Sequence, residues 1–177
     1  MPGNYNTKVG IIGAGMIGKM VIEMLKGFKL DILVFDPFLS EEKAKSMGVA
    51  KTSLEEIFSE CQVISNHVAN LPETVGMFDY NLFKLMKDNA VFINTGRGAQ
   101  VVEDDLIRIL TEKPFITAVL DVTFPEPPVE NSKFYTLENV ILTPHIAGSL
   151  GNEVKRMGEY MCDQFIKFKN NKKLLKI

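Results

Sequence analysis

KVGIIGAGMIGKMVIEMLKGFKLDILVFD, running from Lys8 to Asp36, writes out a strand, a turn, a helix and a second strand in 29 residues. An apolar run, Val9 to Ile12, meets a turn with Gly13, Gly15 and Gly18 in the order G-x-G-x-x-G. Ile17, Met20, Val21, Met24 and Leu25 recur at three- and four-residue spacing, which predicts a helix from Met16 to Lys26 stopped by Gly27. A second apolar run, Ile32 to Phe35, ends on Asp36. Each glycine has its own task in such a unit. The first permits the sharp turn, the second lets a pyrophosphate approach the backbone, and the third lets helix pack close to strand. The helix start offers unpaired N–H groups and a positive dipole end to phosphates. Asp36 lies 18 residues past Gly18, near the ~20 expected for the carboxylate that binds the adenosine ribose hydroxyls. A glycine-rich turn by itself is a weak signal, since a βα turn of this kind need not bind a ligand. With the strand, the helix and the acid around it, the implication is a dinucleotide site. Asp36 would repel a 2′-phosphate, and Pro37 and Phe38 follow it where an arginine would be needed, so the expected cofactor is NAD and not NADP.

The remaining chain alternates in the same way. Strands are expected at Val49 to Lys51, Val63 to Asn66, Ala90 to Asn94, Ile116 to Leu120 and Val140 to Leu142. Helices are expected after Ser40, after Ser53 as a capping box with Glu56, from Glu103 to the break at Pro114, and from Asn152 to about Lys169. Two short helical pieces fall at Pro72 to Met77 and Asn81 to Met86. Val154, Met157, Met161, Phe165 and Phe168 are spaced for one buried stripe on the last helix. Alternating elements with continuous apolar strands imply an α/β fold: a doubly wound, mostly parallel sheet of the Rossmann type with helices on both faces.

Composition agrees with one domain spanning the whole chain, its core at about residues 7 to 168. The 177 residues are 46% apolar and 24% charged, and the formal net charge of −2 argues against a dedicated nucleic-acid binder. No apolar run reaches the length of a membrane span and no secretory leader is legible, so neither a membrane nor a nucleic acid is an expected partner. Cys61 and Cys162 stand far apart, fit no metal spacing and sit in apolar helical contexts. Both are expected to be buried free thiols in a reducing cytoplasm, with no metal site. The lysines of the tail read as a solvated helix end that complements its dipole.

In open α/β sheets, ligands sit beyond the carboxyl ends of the strands. The residues that follow each strand here are Gly13 to Gly18, Asp36, His67, Thr95-Gly96-Arg97, Asp121 and His145. One arginine, two acids and two histidines around a dinucleotide suggest redox chemistry on a small acid.

The motifs INTGRG (Ile93 to Gly98), LDVTFPEP (Leu120 to Pro127) and TPHIAG (Thr143 to Gly148), in that order after GAGMIG, resemble the nucleotide-binding domain of the NAD-dependent D-isomer-specific 2-hydroxyacid dehydrogenases, the group of phosphoglycerate, D-lactate, glycerate and formate dehydrogenases. The resemblance spans roughly residues 7 to 168. It implies that Arg97 grips the carboxylate of a 2-hydroxy or 2-oxo acid, for which a guanidinium's two parallel hydrogen bonds are suited. It implies that His145 is the acid/base and Glu126 its carboxylate partner, which favours the imidazolium. It assigns Asp121 to the nicotinamide amide, and Met16 and Ile17 to the pyrophosphate. Val68, Thr95, Gly96 and the segment His145 to Gly148 become further cofactor contacts, and His67 becomes structural or cofactor-adjacent. The chain departs from the family pattern at Met16, where an arginine is usual, at Ala69, where a proline is usual, and at Thr123, Phe124 and Pro114.

Relatives also carry a second domain that closes over the cofactor. The resemblance therefore implies one domain of a longer enzyme, inactive alone, and a homodimer formed through this domain. Two other readings share the fold: a non-enzymatic NAD-sensing scaffold like the C-terminal-binding-protein corepressors, and a domain that only binds nucleotide.

Overall fold

The computed structural model describes residue 3 and residues 5–174. Its strands are β1 (Thr7–Ile12), β2 (Leu30–Phe35), β3 (Ala50–Lys51), β4 (Val63–Asn66), β5 (Val91–Asn94), β6 (Thr117–Leu120) and β7 (Val140–Leu142). Its helices are α1 (Met16–Leu25), α2 (Glu41–Ser46), α3 (Leu54–Glu60), α4 (Tyr80–Phe83), α5 (Glu103–Glu112) and α6 (Asn152–Lys169). They form two compact units, one up to Pro144 and the other from His145 on.

The first unit is a seven-stranded sheet in the order β3-β2-β1-β4-β5-β6-β7, parallel throughout. The chain winds outward from β1 through β2 to β3, then returns to lay β4 on the other side of β1. The switch point between β1 and β4 is where such sheets open a crevice. The register sets the geometry of that edge. Ile12 is level with Phe35 and with Asn66, Asn66 with Asn94, Asn94 with Leu120, and Leu120 with Leu142. Six strands thus end in one row.

Successive side chains of a strand point to opposite faces, so an apolar run feeds two cores. Val9, Ile11, Ile32 and Val34 pack with Ile22 of α1 and Ala44 of α2. Ile12, Leu33, Ile64, Phe92 and Ala118 face the other way, into a larger core with α3, α4 and α5. At its centre Phe58, Phe78, Phe83 and Phe92 meet at ring-centroid distances of 5.2–6.1 Å, three pairs edge-on and two tilted. Cover is unequal between the faces. The core under α1 and α2 takes no buried residue from β5 to β7, and Ile141 of β7 is exposed.

Helix starts follow the capping chemistry. Ser40 Oγ accepts from Lys43 N at 3.1 Å and Ser53 Oγ from Glu56 N at 3.1 Å. The expected box at Ser53 is half formed, because the Glu56 carboxylate takes the Thr52 hydroxyl instead. Pro72 to Met77 shortens to a single turn at Pro72–Thr74, ahead of Gly76 with its φ of 65°. α4 starts one residue earlier than expected, on an Asp79 cap, and covers only Tyr80–Phe83.

The second unit contains α6, a helix where one was expected but not buried as expected. Val154, Met157, Met161, Phe165 and Phe168 do line one face, yet each is exposed and α6 has no buried residue. Helical periodicity establishes that an apolar face exists; it does not establish what covers it. Cys162 on the same helix is exposed, against expectation, whereas Cys61 is buried, and burial pushes its thiol up to about 12.

The phenylalanine cluster gives the fold its test. Phe58→Ala should cost roughly 3–5 kcal/mol, the usual loss for a buried phenylalanine, read as a fall in the urea midpoint. Phe38→Ala, at a residue 91% exposed, should stay within about 0.5 kcal/mol of the parent. Similar losses at the two positions would contradict this core.

Candidate cofactor and substrate site

Main-chain hydrogen bonds carry the sheet one residue past its strands. Gly13 N donates to Phe35 O at 2.8 Å, His67 N to Ile12 O at 2.7 Å, Asp121 N to Asn94 O at 3.0 Å and Thr143 N to Leu120 O at 3.0 Å. Because the strand ends are level, Gly13, Asp36, His67, Thr95, Asp121 and Thr143 stand in one row along the carboxyl edge. The structure thus brings together most of the residues singled out from sequence.

The glycine turn is shaped by two close approaches. Gly13 has φ 91°, and a Cβ there would lie 2.8 Å from His67 O, so the turn is pressed against the loop after β4. A Cβ on Gly18 would lie 1.9 Å from Gly13 O, which no side chain can occupy. Gly15 has open space around it. It caps α1 without any side-chain partner, and the first helical turn holds no acid. The unpaired N–H groups of that turn therefore face an open approach, the arrangement a pyrophosphate needs. Met16 and Ile17 are exposed there.

Asp36 does more than its position implied. Its Oδ2 accepts from Ala14 N at 2.7 Å and its Oδ1 from Phe38 N at 2.8 Å. The carboxylate braces the glycine turn, and each oxygen keeps a further lone pair for a ribose hydroxyl. It lines a cleft of about 410 Å³ together with Gly15, Lys19, Phe38, Ser40 and Lys43.

A second cleft, of about 260 Å³, has Ile17, His67 and Val68 on one side and Thr95, Gly96 and Arg97 on the other. Arg97 is exposed, and its Nη1 donates to Gly96 O at 2.7 Å. A Cβ on Gly98 would lie 2.0 Å from the Thr123 carbonyl carbon, so the turn carrying Arg97 is seated on the segment after β6. There Asp121 is buried and accepts from the Thr143 hydroxyl. Glu126 is exposed in the following loop, between two cis X-Pro bonds. In the second unit, His145 is exposed with φ 54°, and Gly148 is exposed in the segment before α6.

Sequence reading missed Asn66, Asn94 and Gln100, three buried amides beneath the second cleft. The available signal was that two apolar strands, VISN and VFIN, both end in asparagine. It also left unremarked the lining residues Lys19 and Lys43, and read Ser40 only as a helix cap.

Fold and clefts define a Rossmann-type dinucleotide-binding domain. The family model for the D-isomer specific 2-hydroxyacid dehydrogenase NAD binding domain matches residues 2–147, and the chain belongs to that family. The chain is 35% identical over 164 residues to the D-3-phosphoglycerate dehydrogenase of Methanocaldococcus jannaschii, covering 92% of this chain and 31% of that protein. It is 35% identical over 165 residues to the glyoxylate reductase of Korarchaeum cryptofilum, covering 93% and 50%. The apo D-mandelate dehydrogenase of Rhodotorula graminis superposes with a TM-score of 0.86 at 26% identity, over 98% of this chain and 51% of that one. The chain therefore spans about a third to a half of the length of these relatives. NAD is the cofactor of the family, as the sequence led us to expect.

His67 offers a check on the site's burial. Its Nε2 lies 2.9 Å from Ser65 Oγ, and burial holds the imidazole below its ordinary value of 6.5. As pH falls, the unfolded chain takes up this proton before the folded one does. The stabilising effect is full above about 6.5 and is lost as pH drops through the depressed folded value. His67→Gln should therefore flatten the decline of the urea midpoint between about pH 7 and about pH 5. An unchanged slope would mean that His67 titrates as it does in water.

Proposed function

We propose that this chain is the cofactor half of an oxidoreductase that transfers a hydride between NAD and a D-2-hydroxy acid or its 2-oxo counterpart. The observation that carries it is the cleft in which Arg97 and the Thr95–Gly96 segment face His67 and Val68 beyond a level row of strand ends. NAD, when bound, supplies the ring carbon that accepts or donates the hydride. The open N–H groups at Gly15, Met16 and Ile17 would hold the pyrophosphate, with Gly13 and Gly18 shaping the turn. Asp36 would take the ribose hydroxyls, and Asp121 the nicotinamide amide, with Val68, Thr95, Gly96 and Gly148 as further contacts.

Arg97 grips the substrate carboxylate with two parallel hydrogen bonds and so orients C2. His145 would take the hydroxyl proton of the substrate in the oxidising direction. Glu126, as the partner carboxylate, favours the imidazolium so formed. Reduction reverses this transfer.

The relatives are two to three times as long as this chain, and excluding water from the reacting groups is what domain closure supplies in enzymes of this kind. We assign NAD binding to this chain and turnover to the full-length protein. We assign the protein to the cytoplasm, in keeping with its two free thiols. The exposed apolar face of α6 suits self-association as a homodimer. Sedimentation at the 19.8 kDa of one chain would remove that last assignment.

Initial rates of the full-length protein against a panel of 2-oxo acids, with NADH and with NADPH, test the reading. His145→Gln should lower kcat by about 10²–10⁴. Arg97→Lys should lower kcat/KM by roughly 10- to 100-fold, as expected for the loss of one charge-assisted hydrogen bond. Full activity in both variants would sink the proposal.

A further inference from the structure

Asn66, Asn94 and Gln100 are all 0% exposed, in an interior that is otherwise almost wholly apolar. Buried amides cost free energy unless their polar atoms are paired. Here they are paired, first with each other. Asn66 Nδ2 donates to Asn94 Oδ1 at 2.9 Å and to Gln100 Oε1 at 2.6 Å. The remaining capacity is spent on main chain. Val68 N donates to Asn66 Oδ1 at 3.1 Å, Gly96 N to Asn94 Oδ1 at 3.0 Å and Arg97 N to Gln100 Oε1 at 3.2 Å. Asn94 Nδ2 donates to Arg97 O at 3.1 Å, and Gln100 Nε2 to both Val68 O and Ala69 O at 3.0 Å.

The main-chain partners fall into two groups, and the groups are the two walls of the smaller cleft. Val68 and Ala69 belong to the loop after β4; Gly96 and Arg97 belong to the turn after β5. The amides also claim the space between them. A Cβ on Gly96 would sit 2.7 Å from Asn66 Nδ2 and 2.9 Å from Gln100 Oε1.

We propose that Asn66, Asn94 and Gln100 are positioning residues that weld the two walls of this cleft into one rigid frame. The Arg97 side chain then leaves a backbone whose N–H and C=O are both held from below. Leucines of similar volume would fill the same space but would not direct any peptide group, because only hydrogen bonds are directional enough for that. The consequence for substrate binding rests on the reading of Arg97 as carboxylate anchor; the frame itself does not.

Positioning and mere stability can be separated by reading each variant under conditions where it is fully folded. Asn66→Leu or Gln100→Leu leaves buried polar partners unpaired and should lower the urea midpoint. The double variant Asn66→Leu/Gln100→Leu also strips the main-chain groups of Val68, Ala69 and Arg97 of the partners named above, so it should lower the midpoint further. In the folded double variant, Gly96 N–H, whose own acceptor Asn94 is untouched, should exchange with solvent about three- to tenfold faster, the equivalent of one net hydrogen bond. Affinity for NADH, followed by the fluorescence of NADH itself, should fall by a similar factor. Parental Gly96 exchange and parental NADH affinity in a fully folded double variant would overturn the proposal. If the double variant does not fold, Gln100→Met carries the test: the proposal expects NADH affinity to fall even at temperatures where the variant is fully folded, and parental affinity there overturns it. Arg97→Met in the full-length protein tests the anchor alone. An unchanged KM for the 2-oxo acid would sink that reading and leave the frame standing.

Discussion

The edge that gathers the site exists because parallel strands end level and their hydrogen-bond ladder continues into the loops. Gly13, His67, Asp121 and Thr143 each donate a main-chain hydrogen bond to the neighbouring strand's last residue. These bonds are independent of side chain, so they tolerate a row of chemically different residues while holding every one at the same height. A slip of one residue in any strand would turn its side chains to the opposite face and shift its loop along the sheet. The two-sided apolar packing of β1, β2 and β4 forbids that slip, and so core packing sets the site's geometry indirectly.

Two kinds of interior meet under that edge. Toward the amino ends, the larger core is held by non-directional burial, with four fully buried phenylalanines filling the space between β5 and the helices α3 and α4. Such packing excludes water but specifies backbone orientation only loosely. Near the carboxyl ends the apolar side chains give way to Asn66, Asn94 and Gln100. There the loss of hydration is offset by hydrogen bonds that point specific peptide groups in specific directions. The change from burial to direction falls where the chain changes from scaffold to cleft. Asp36 acts in the same way on the other side of the switch point, bracing Ala14 while it lines the wider cleft.

The glycine turn shows how local and long-range demands coincide. Gly13 must adopt φ 91° to leave β1 for α1, which is a local demand. It must also make room for the loop after β4, a demand set by residues 54 positions away. Gly18 answers a third requirement, the approach of α1 to the turn that precedes it. No other residue meets all of these, because each is a limit on the volume of a side chain.

Unlike the Asp79 cap, the strands, the glycine turn, the serine caps at Ser40 and Ser53 and the residues following each strand were legible in the sequence. Each of them rests on interactions within a few positions: apolar periodicity, a φ that only some residues adopt, a hydroxyl three residues before an N–H. Parallel pairing was legible too, because strands buried on both faces carry no polar alternation. What lay beyond reach were contacts between distant positions whose partners share no pattern. Asn66 meets Asn94 and Gln100 across 28 and 34 residues, and Asp36 meets Ala14 across 22. The apolar face of α6 was readable as a face but not as an exposed one, because periodicity describes one helix and burial is a property of what packs against it. The sequence by itself determined which residues could serve a dinucleotide and a small acid. Only the tertiary structure decided which amides hold the walls of the cleft, because directional bonds between distant peptide groups depend on a register that no single segment contains.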